Sequence, residues 1–207
     1  MTATNPDAKA LARISDDIDS LGLSSNLVEL ESQGFTTIKG VLSSRTIKRA
    51  QTAILDRVEK DTGKHVDPLC AKEEDWEGML YIPYMLYDNP VFEEILLEAK
   101  PLAMIRYLLG DSCVLSSLGC HFKGPGGDAV TLHSDNGNGM PSPFPSYSQV
   151  ANVNYALTPY SKEAGSLAIV PSTHRLARQP VASEMLLHGS KANSSAIAMD
   201  LEPGDAV

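Results

Sequence analysis

The chain has 207 residues, 43% hydrophobic and 21% charged, a composition that fits a single soluble globular domain over residues 1–207. A formal net charge of −9 argues against a nucleic-acid partner, which would select a basic surface. No apolar run approaches the roughly 20 residues of a membrane span, and Met1-Thr2-Ala3-Thr4-Asn5-Pro6-Asp7 lacks the basic-then-apolar order of a signal peptide.

Cys70, Cys113 and Cys120 are odd in number and form no C-x-x-C pair. That usage predicts free thiols in a reducing, cytoplasmic compartment, with the cysteines as core filler and no zinc site.

Residues 7–33 read as helical and close at Gly34, and Phe35-Thr36-Thr37-Ile38 is a short β-type run. Ser43 or Ser44 caps a helix whose apolar face is Ile47, Ala50, Ile54 and Val58, ending at Gly63. Residues 64–80 are polar and irregular. The run Tyr81-Ile82-Pro83-Tyr84-Met85-Leu86-Tyr87 fits aromatic packing between layers, or the lining of a pocket. Asn89-Pro90 opens a helix through Phe92, Ile95, Leu96 and Ala99, and Pro101 opens its continuation to Leu109, stopped by Gly110.

After Gly110 the pattern turns to strands. Ser112 to Lys123 carries β-branched and apolar residues without helical period, and on a strand His121 and Lys123 share a face. Gly124-Pro125-Gly126-Gly127 predicts a turn, and Val130 to Asp135 a short strand. Pro141, Pro143 and Pro145 predict a semi-rigid loop from Gly137 to Tyr147, placed to form a pocket rim. Val150 to Leu157 alternates, with Asn152 and Asn154 on one face. Ser161 to Gly165 is a turn, Leu167 to Val170 a strand closed by Pro171, and residues 176–195 loop or short helix. Ala196 to Leu201 alternates again before a Glu202-Pro203-Gly204-Asp205 turn. Many short strands with Gly/Pro turns predict a sandwich or jelly roll.

The chemistry-bearing stretch is Val130-Thr131-Leu132-His133-Ser134-Asp135. Positions i and i+2 of a strand share a face, so His133 and Asp135 are placed to address one object. A His-x-Asp pair is two-thirds of the facial triad that holds non-haem Fe(II) and leaves coordination positions open. With 5 His in the chain, chance placement yields roughly 0.3 His-x-Asp triplets, so spacing alone does not carry the assignment. A second copy, His65-Val66-Asp67, precedes Pro68 in a polar stretch and reads as surface loop. The strand before His133 and the proline loop after Asp135 single out the later pair.

In these residues the sequence resembles the phytanoyl-CoA dioxygenase family of Fe(II)/2-oxoglutarate oxygenases. Four pieces carry the resemblance, from about Leu27 onward: Glu31-Ser32-Gln33-Gly34-Phe35 with Gly40-Val41-Leu42-Ser43; Leu108-Leu109-Gly110; Leu132-His133-Ser134-Asp135; and Asn154-Tyr155-Ala156-Leu157 through Gly165-Ser166-Leu167 to Pro171-Ser172-Thr173-His174. Their order and spacing are specific together. The resemblance implies a double-stranded β-helix, a cupin-like jelly roll with N-terminal helices packed on one sheet. It implies iron held by His133 and Asp135, with 2-oxoglutarate as co-substrate and O₂ as oxidant. It also implies that Lys123, Thr131 and Asn154 lie near 2-oxoglutarate, although Asn154 stands where many members carry Trp, and that His174 is structural or supports a ligand rather than being one.

The family's third ligand, a His, and the Arg that clamps 2-oxoglutarate lie beyond a Gly-Asp-x-Val turn, here Gly204-Asp205-Ala206-Val207. The chain is therefore expected to lack its last strands and to be an incomplete catalytic unit. Three readings follow: a dioxygenase oxidising an unactivated C–H of a small apolar or amphipathic metabolite; a non-catalytic jelly-roll binding protein with an incomplete metal site; and an interaction domain completed by another chain. The expected partner is a small molecule, not a membrane or a nucleic acid, and nothing in the sequence specifies an oligomeric state.

Overall fold

A computed structural model describes residues 6–67, 78–124, 130–137 and 140–207. The predicted Gly124–Gly127 turn lies mostly outside these residues, as do Cys70 and parts of the 64–80 stretch and the proline loop.

Helices α1 (Pro6–Ser20) and α2 (Ser24–Gln33) divide what the sequence presents as one helical stretch. The break is at Gly22, whose φ of 70° suits glycine, and the Leu23 N–H turns back onto Ile18 O at 2.9 Å. Helix α3 (Ser44–Thr62) follows its sequence signals closely. Ser43 accepts from the Thr46 N–H at the start, and Gly63 at φ 70° closes the end on Glu59 O. Its buried face is Ile47, Ala50, Ala53, Ile54 and Val58.

Strand β1 (Met79–Ile82) pairs antiparallel with β2 (Cys120–Lys123), Met79 opposite Lys123 and Ile82 opposite Cys120. Only these last four residues of the predicted 112–123 strand are laddered. Pro83 follows Ile82 and has no N–H to donate, so the pairing stops there. Ile82 and the fully buried Met85 point inward, while Tyr81, Tyr84 and Tyr87 are exposed. The aliphatic residues of that run, not its tyrosines, do the interlayer packing.

Helices α4 (Val91–Leu96) and α5 (Ala99–Leu109) complete the helical half. One core cluster joins α3, α4 and the β1–β2 pair through Ile54, Val58, Ile82, Met85, Val91 and Phe92. Each such side chain contributes roughly 1.5–3 kcal/mol on full burial. A second cluster seats α1 on α5 through Ile14, Ile18, Ala103 and Met104, framed by Arg106 on Asp17 at 2.6 Å.

The second half is thinly laddered. Strand β3 (Ala168–Ile169) pairs antiparallel with β4 (Ile197–Ala198). Leu201 bridges to Tyr160, and Ala206 bridges to both Ile38 and Tyr155. Residues 204–207 thus lie between the Ile38 segment and residues 154–156, and Asn154 and Val207 exchange both backbone bonds. The pairing expected to begin at Ala206–Val207 is present. Buried Asp205 ties this seam together: its carboxylate takes Lys39 Nζ at 2.8 Å, the Gly40 N–H at 2.8 Å and the Glu202 N–H at 3.1 Å.

The predicted strand at Val130–Asp135 is not formed as a strand. Residues 131–134 have no ladder, and Asp135–Gly137 is a 3₁₀ turn. The reason lies in the segment alongside, residues 177–185, which carries Pro180 and the 3₁₀ turn Ala182–Glu184. It offers one backbone bond, Leu132 N–H to Met185 O at 3.0 Å.

Candidate metal centre at His133 and Asp135

His133 and Asp135 converge even without the strand. His133 Nε2 stands 3.3 Å from Asp135 Oδ1, and both side chains are about half exposed, at 52% and 41%. Each is held by its far atom. His133 Nδ1 lies 2.8 Å from Thr131 O, a bond in which Nδ1 is the donor, and Nε2 is the ring nitrogen turned toward Asp135. Asp135 Oδ2 accepts from Asn152 Nδ2, which leaves Oδ1 on the His133 side. Ser134, between the two, has both backbone groups on one side-chain amide: its N–H donates to Gln179 Oε1 at 3.0 Å and its carbonyl accepts from Gln179 Nε2 at 2.6 Å.

The other expected residues are placed differently. Thr131 contributes its carbonyl oxygen to His133 and has an exposed side chain. Lys123, at the end of β2, donates to Gly165 O at 2.6 Å, and an ammonium with three donors keeps capacity for a carboxylate. Asn154 is exposed and its backbone belongs to the Val207 seam. Of the two asparagines on that face, Asn152 is the one that reaches Asp135. The sequence showed the pair but not which member makes the contact. Gln179 lies in a segment that reads from sequence as loop or short helix, with no signal for this role.

The remaining histidines stand apart. His65 is exposed and bonded to Glu59 at 2.7 Å, which raises its pKa. His121 lies tilted on Tyr81 with ring centroids 5.1 Å apart, and burial followed by the Lys123 charge lowers its pKa. His174 packs on Gly34 at the end of α2. Among the described residues, no group of three or more His, Cys, Asp or Glu is arranged to hold a metal ion. Cys113 and Cys120 are free, and burial pushes the Cys120 thiol up to about 11, which keeps it inert. Among the described residues, no helix is long and apolar enough to cross a membrane.

Against known proteins, the family model for phytanoyl-CoA dioxygenase (PhyH) matches residues 30–207. The chain belongs to the phytanoyl-CoA dioxygenase family.

Among curated relatives, dioxygenase af480 of Aspergillus fumigatus is 27% identical over 97 residues. The match covers 47% of this chain and 30% of that relative's length. Among solved structures, the non-heme alpha-ketoglutarate-dependent carbocyclase SnoK from nogalamycin biosynthesis aligns with a TM-score of 0.60 at 19% identity, over 88% of this chain and 72% of that one. HygX from Streptomyces hygroscopicus, bound to nickel and 2-oxoglutarate, aligns with a TM-score of 0.62 at 16% identity, over 88% and 75%. At such identities the likeness is one of fold, the jelly roll of the 2-oxoglutarate-dependent oxygenases, here with few regular strands.

Proposed function

We propose that this chain forms the core of an Fe(II)- and 2-oxoglutarate-dependent dioxygenase, with His133 and Asp135 as two of the metal's ligands. One observation carries the reading: His133 Nε2 and Asp135 Oδ1 stand 3.3 Å apart, with both far atoms tied back. Two ligand atoms on adjacent corners of an octahedral ion, each roughly 2.1 Å from it, stand about 3 Å apart. The donor set, one neutral imidazole and one carboxylate, suits a non-haem iron site.

When bound, the metal with 2-oxoglutarate and O₂ supplies the oxidising power: the co-substrate loses CO₂ and becomes succinate, taking one oxygen atom, and the other enters a substrate C–H. The chain's own residues hold and orient. Thr131 O fixes the imidazole tautomer, Asn152 fixes the carboxylate, and Lys123 at the end of β2 is the cation offered to the co-substrate's far carboxylate.

The segments that hold the pair also carry exposed apolar side chains: Val130 before His133, Leu186 after Met185, Val181 after Gln179 and Val150 before Asn152. Exposed apolar side chains on these segments favour a small apolar or amphipathic substrate. HygX has been solved with nickel, 2-oxoglutarate and hygromycin B bound, and a small-molecule substrate is the reading for this chain too.

The test is succinate release from 2-oxoglutarate with added Fe(II) and O₂, over a panel of lipophilic metabolites and without substrate. Iron-dependent succinate is the expected result. No succinate from iron-loaded protein favours the second reading, a non-catalytic jelly-roll binding protein, which the lack of a third ligand among the described residues supports.

A further inference from the structure

We infer that Gln179 is a positioning residue for the His133–Asp135 pair, its side-chain amide standing in for the neighbouring strand that this segment lacks. Ser134 joins the two candidate ligands, so the tilt of its peptide groups sets where both side chains aim. In a regular sheet an adjacent strand would hold that tilt through one donor and one acceptor. Here a primary amide, which offers the same donor and acceptor, takes both: Ser134 N–H to Oε1 at 3.0 Å and Nε2 to Ser134 O at 2.6 Å, in a half-buried setting.

The amide is itself anchored. Arg178 Nη1 donates to Gln179 O at 2.9 Å, and its guanidinium grips Glu184 in a two-pronged pair at 2.7 and 3.0 Å. Glu184 Oε2 also accepts the Val181 N–H at 2.9 Å, so one carboxylate joins the Arg178 side chain before Gln179 to the backbone after it. The same loop reaches back once more, Met185 O taking the Leu132 N–H at 3.0 Å. Residues 178–185 therefore grip the chain at 132 and at 134, on either side of His133. An irregular segment is thus held on both sides of His133 without a ladder.

The inference rests on His133 and Asp135 being metal ligands, and the experiment separates the two claims. Mn(II), an oxygen-stable probe for such a site, is titrated into the purified full chain and followed by the electron-spin signal of the free ion. Amide hydrogen exchange at Ser134 and thermal melting are measured in parallel. Gln179→Ala should bind Mn(II) about 10- to 100-fold more weakly, the range for outer-shell partners, with faster exchange at Ser134. Gln179→Glu keeps the acceptor for the Ser134 N–H but sets a carboxylate against the Ser134 carbonyl, so its affinity should fall between the two. A fall in affinity out of proportion to any fall in melting temperature marks positioning rather than general stability. Wild-type affinity in folded Gln179→Ala overturns the inference. Should that variant fail to fold, wild-type affinity in Gln179→Glu overturns it instead. If His133→Ala and Asp135→Ala bind Mn(II) as the wild type does, or the wild type binds none, the metal assignment falls and takes this inference with it.

Discussion

The imidazole of His174 occupies the space that Gly34 leaves by having no side chain: a Cβ on Gly34 would stand 2.4 Å from His174 Nδ1. The contact belongs to a cap on helix α2. Its last four carbonyls are all satisfied, Leu30 O by the Gly34 N–H, Glu31 O by Arg175, Ser32 O by Ser172 Oγ and Gln33 O by the Ser172 N–H. Gly34 also sits at φ 85°. Gly34→Ala should therefore be destabilising twice over, by roughly 1–2 kcal/mol for the left-handed backbone alone and again by displacing His174. Calorimetry should show a melting point several degrees lower. Adding His174→Gly should recover the steric part and leave the backbone part.

Removal of a ligand and removal of a distant His-x-Asp pair should separate cleanly. Asp135→Ala and His133→Ala should lower Mn(II) or Fe(II) affinity by more than the roughly 10- to 100-fold expected of an outer partner. His65→Ala and Asp67→Ala should leave it unchanged, since His65 is exposed and engaged with Glu59 on α3. Metal titration of the four variants is the check, and a reversed order would mean the earlier pair is the site.

Asn152→Ala should weaken metal binding about 10-fold, because Asp135 loses the donor that orients it. Both side chains are largely solvent-accessible, so the melting temperature should hardly move. A large stability loss with unchanged affinity would assign Asn152 to the fold instead.

Asp205 predicts an acid dependence. Burial pushes its carboxyl up, but the Lys39 ammonium and the N–H groups of Gly40 and Glu202 outweigh that, and the net value lies below the ordinary 3.8. A depressed pKa contributes stability that is complete above the unfolded value and lost as pH falls through the folded one. Asp205→Asn should cost about 1.5–3 kcal/mol at neutral pH, the range for hydrogen bonds to a charged group. The gap to wild type should close as pH falls below about 3.8. Urea unfolding at pH 7 and pH 3 measures it.

Glu184 makes the same argument for the loop that carries Gln179. The Arg178 guanidinium and the Val181 N–H hold its carboxyl down at about 2. The loop's closure should persist well below pH 4.5 and loosen as pH approaches 2. Protection of the Val181 amide from exchange should follow that curve, and Glu184→Gln should already lack the protection at pH 5.

Where the sequence spoke in periods, it was legible. The stripe Ile47, Ala50, Ile54 and Val58 located α3, and Ser43 and Gly63 its ends. The i, i+2 spacing pointed to His133 beside Asp135, and the two do meet, although Asp135 opens a 3₁₀ turn rather than ending a strand. Long-range partners were not legible. Gln179 lies 45 residues from Ser134, and an amide replacing a strand leaves no pattern along the chain. Tyr81, Tyr84 and Tyr87 misled because aromatic content suggests burial, whereas Pro83 ends β1 and the 3₁₀ turn Met85–Tyr87 sends the aliphatic residues inward. The split at Gly22 was written in the sequence, but a single glycine within an otherwise helical stretch does not by itself mark a break.

The seam between Ile38 and Ala206 sets a timetable for folding. Their backbone groups bond in both directions, yet 168 positions of chain separate them, and closing so long a loop costs roughly 4.5 kcal/mol of entropy beyond a fixed term. Each helix closes its own hydrogen bonds locally and can form early, whereas the docking of α1 on α5 joins Asp17 to Arg106 across 89 positions. Buried Asp205 cannot bond to Lys39 and Gly40 until its own segment reaches that edge. During synthesis, then, the Ile38 edge waits unpaired until residue 206 has been made, and the closing step that brings the two together should slow the folding of this half.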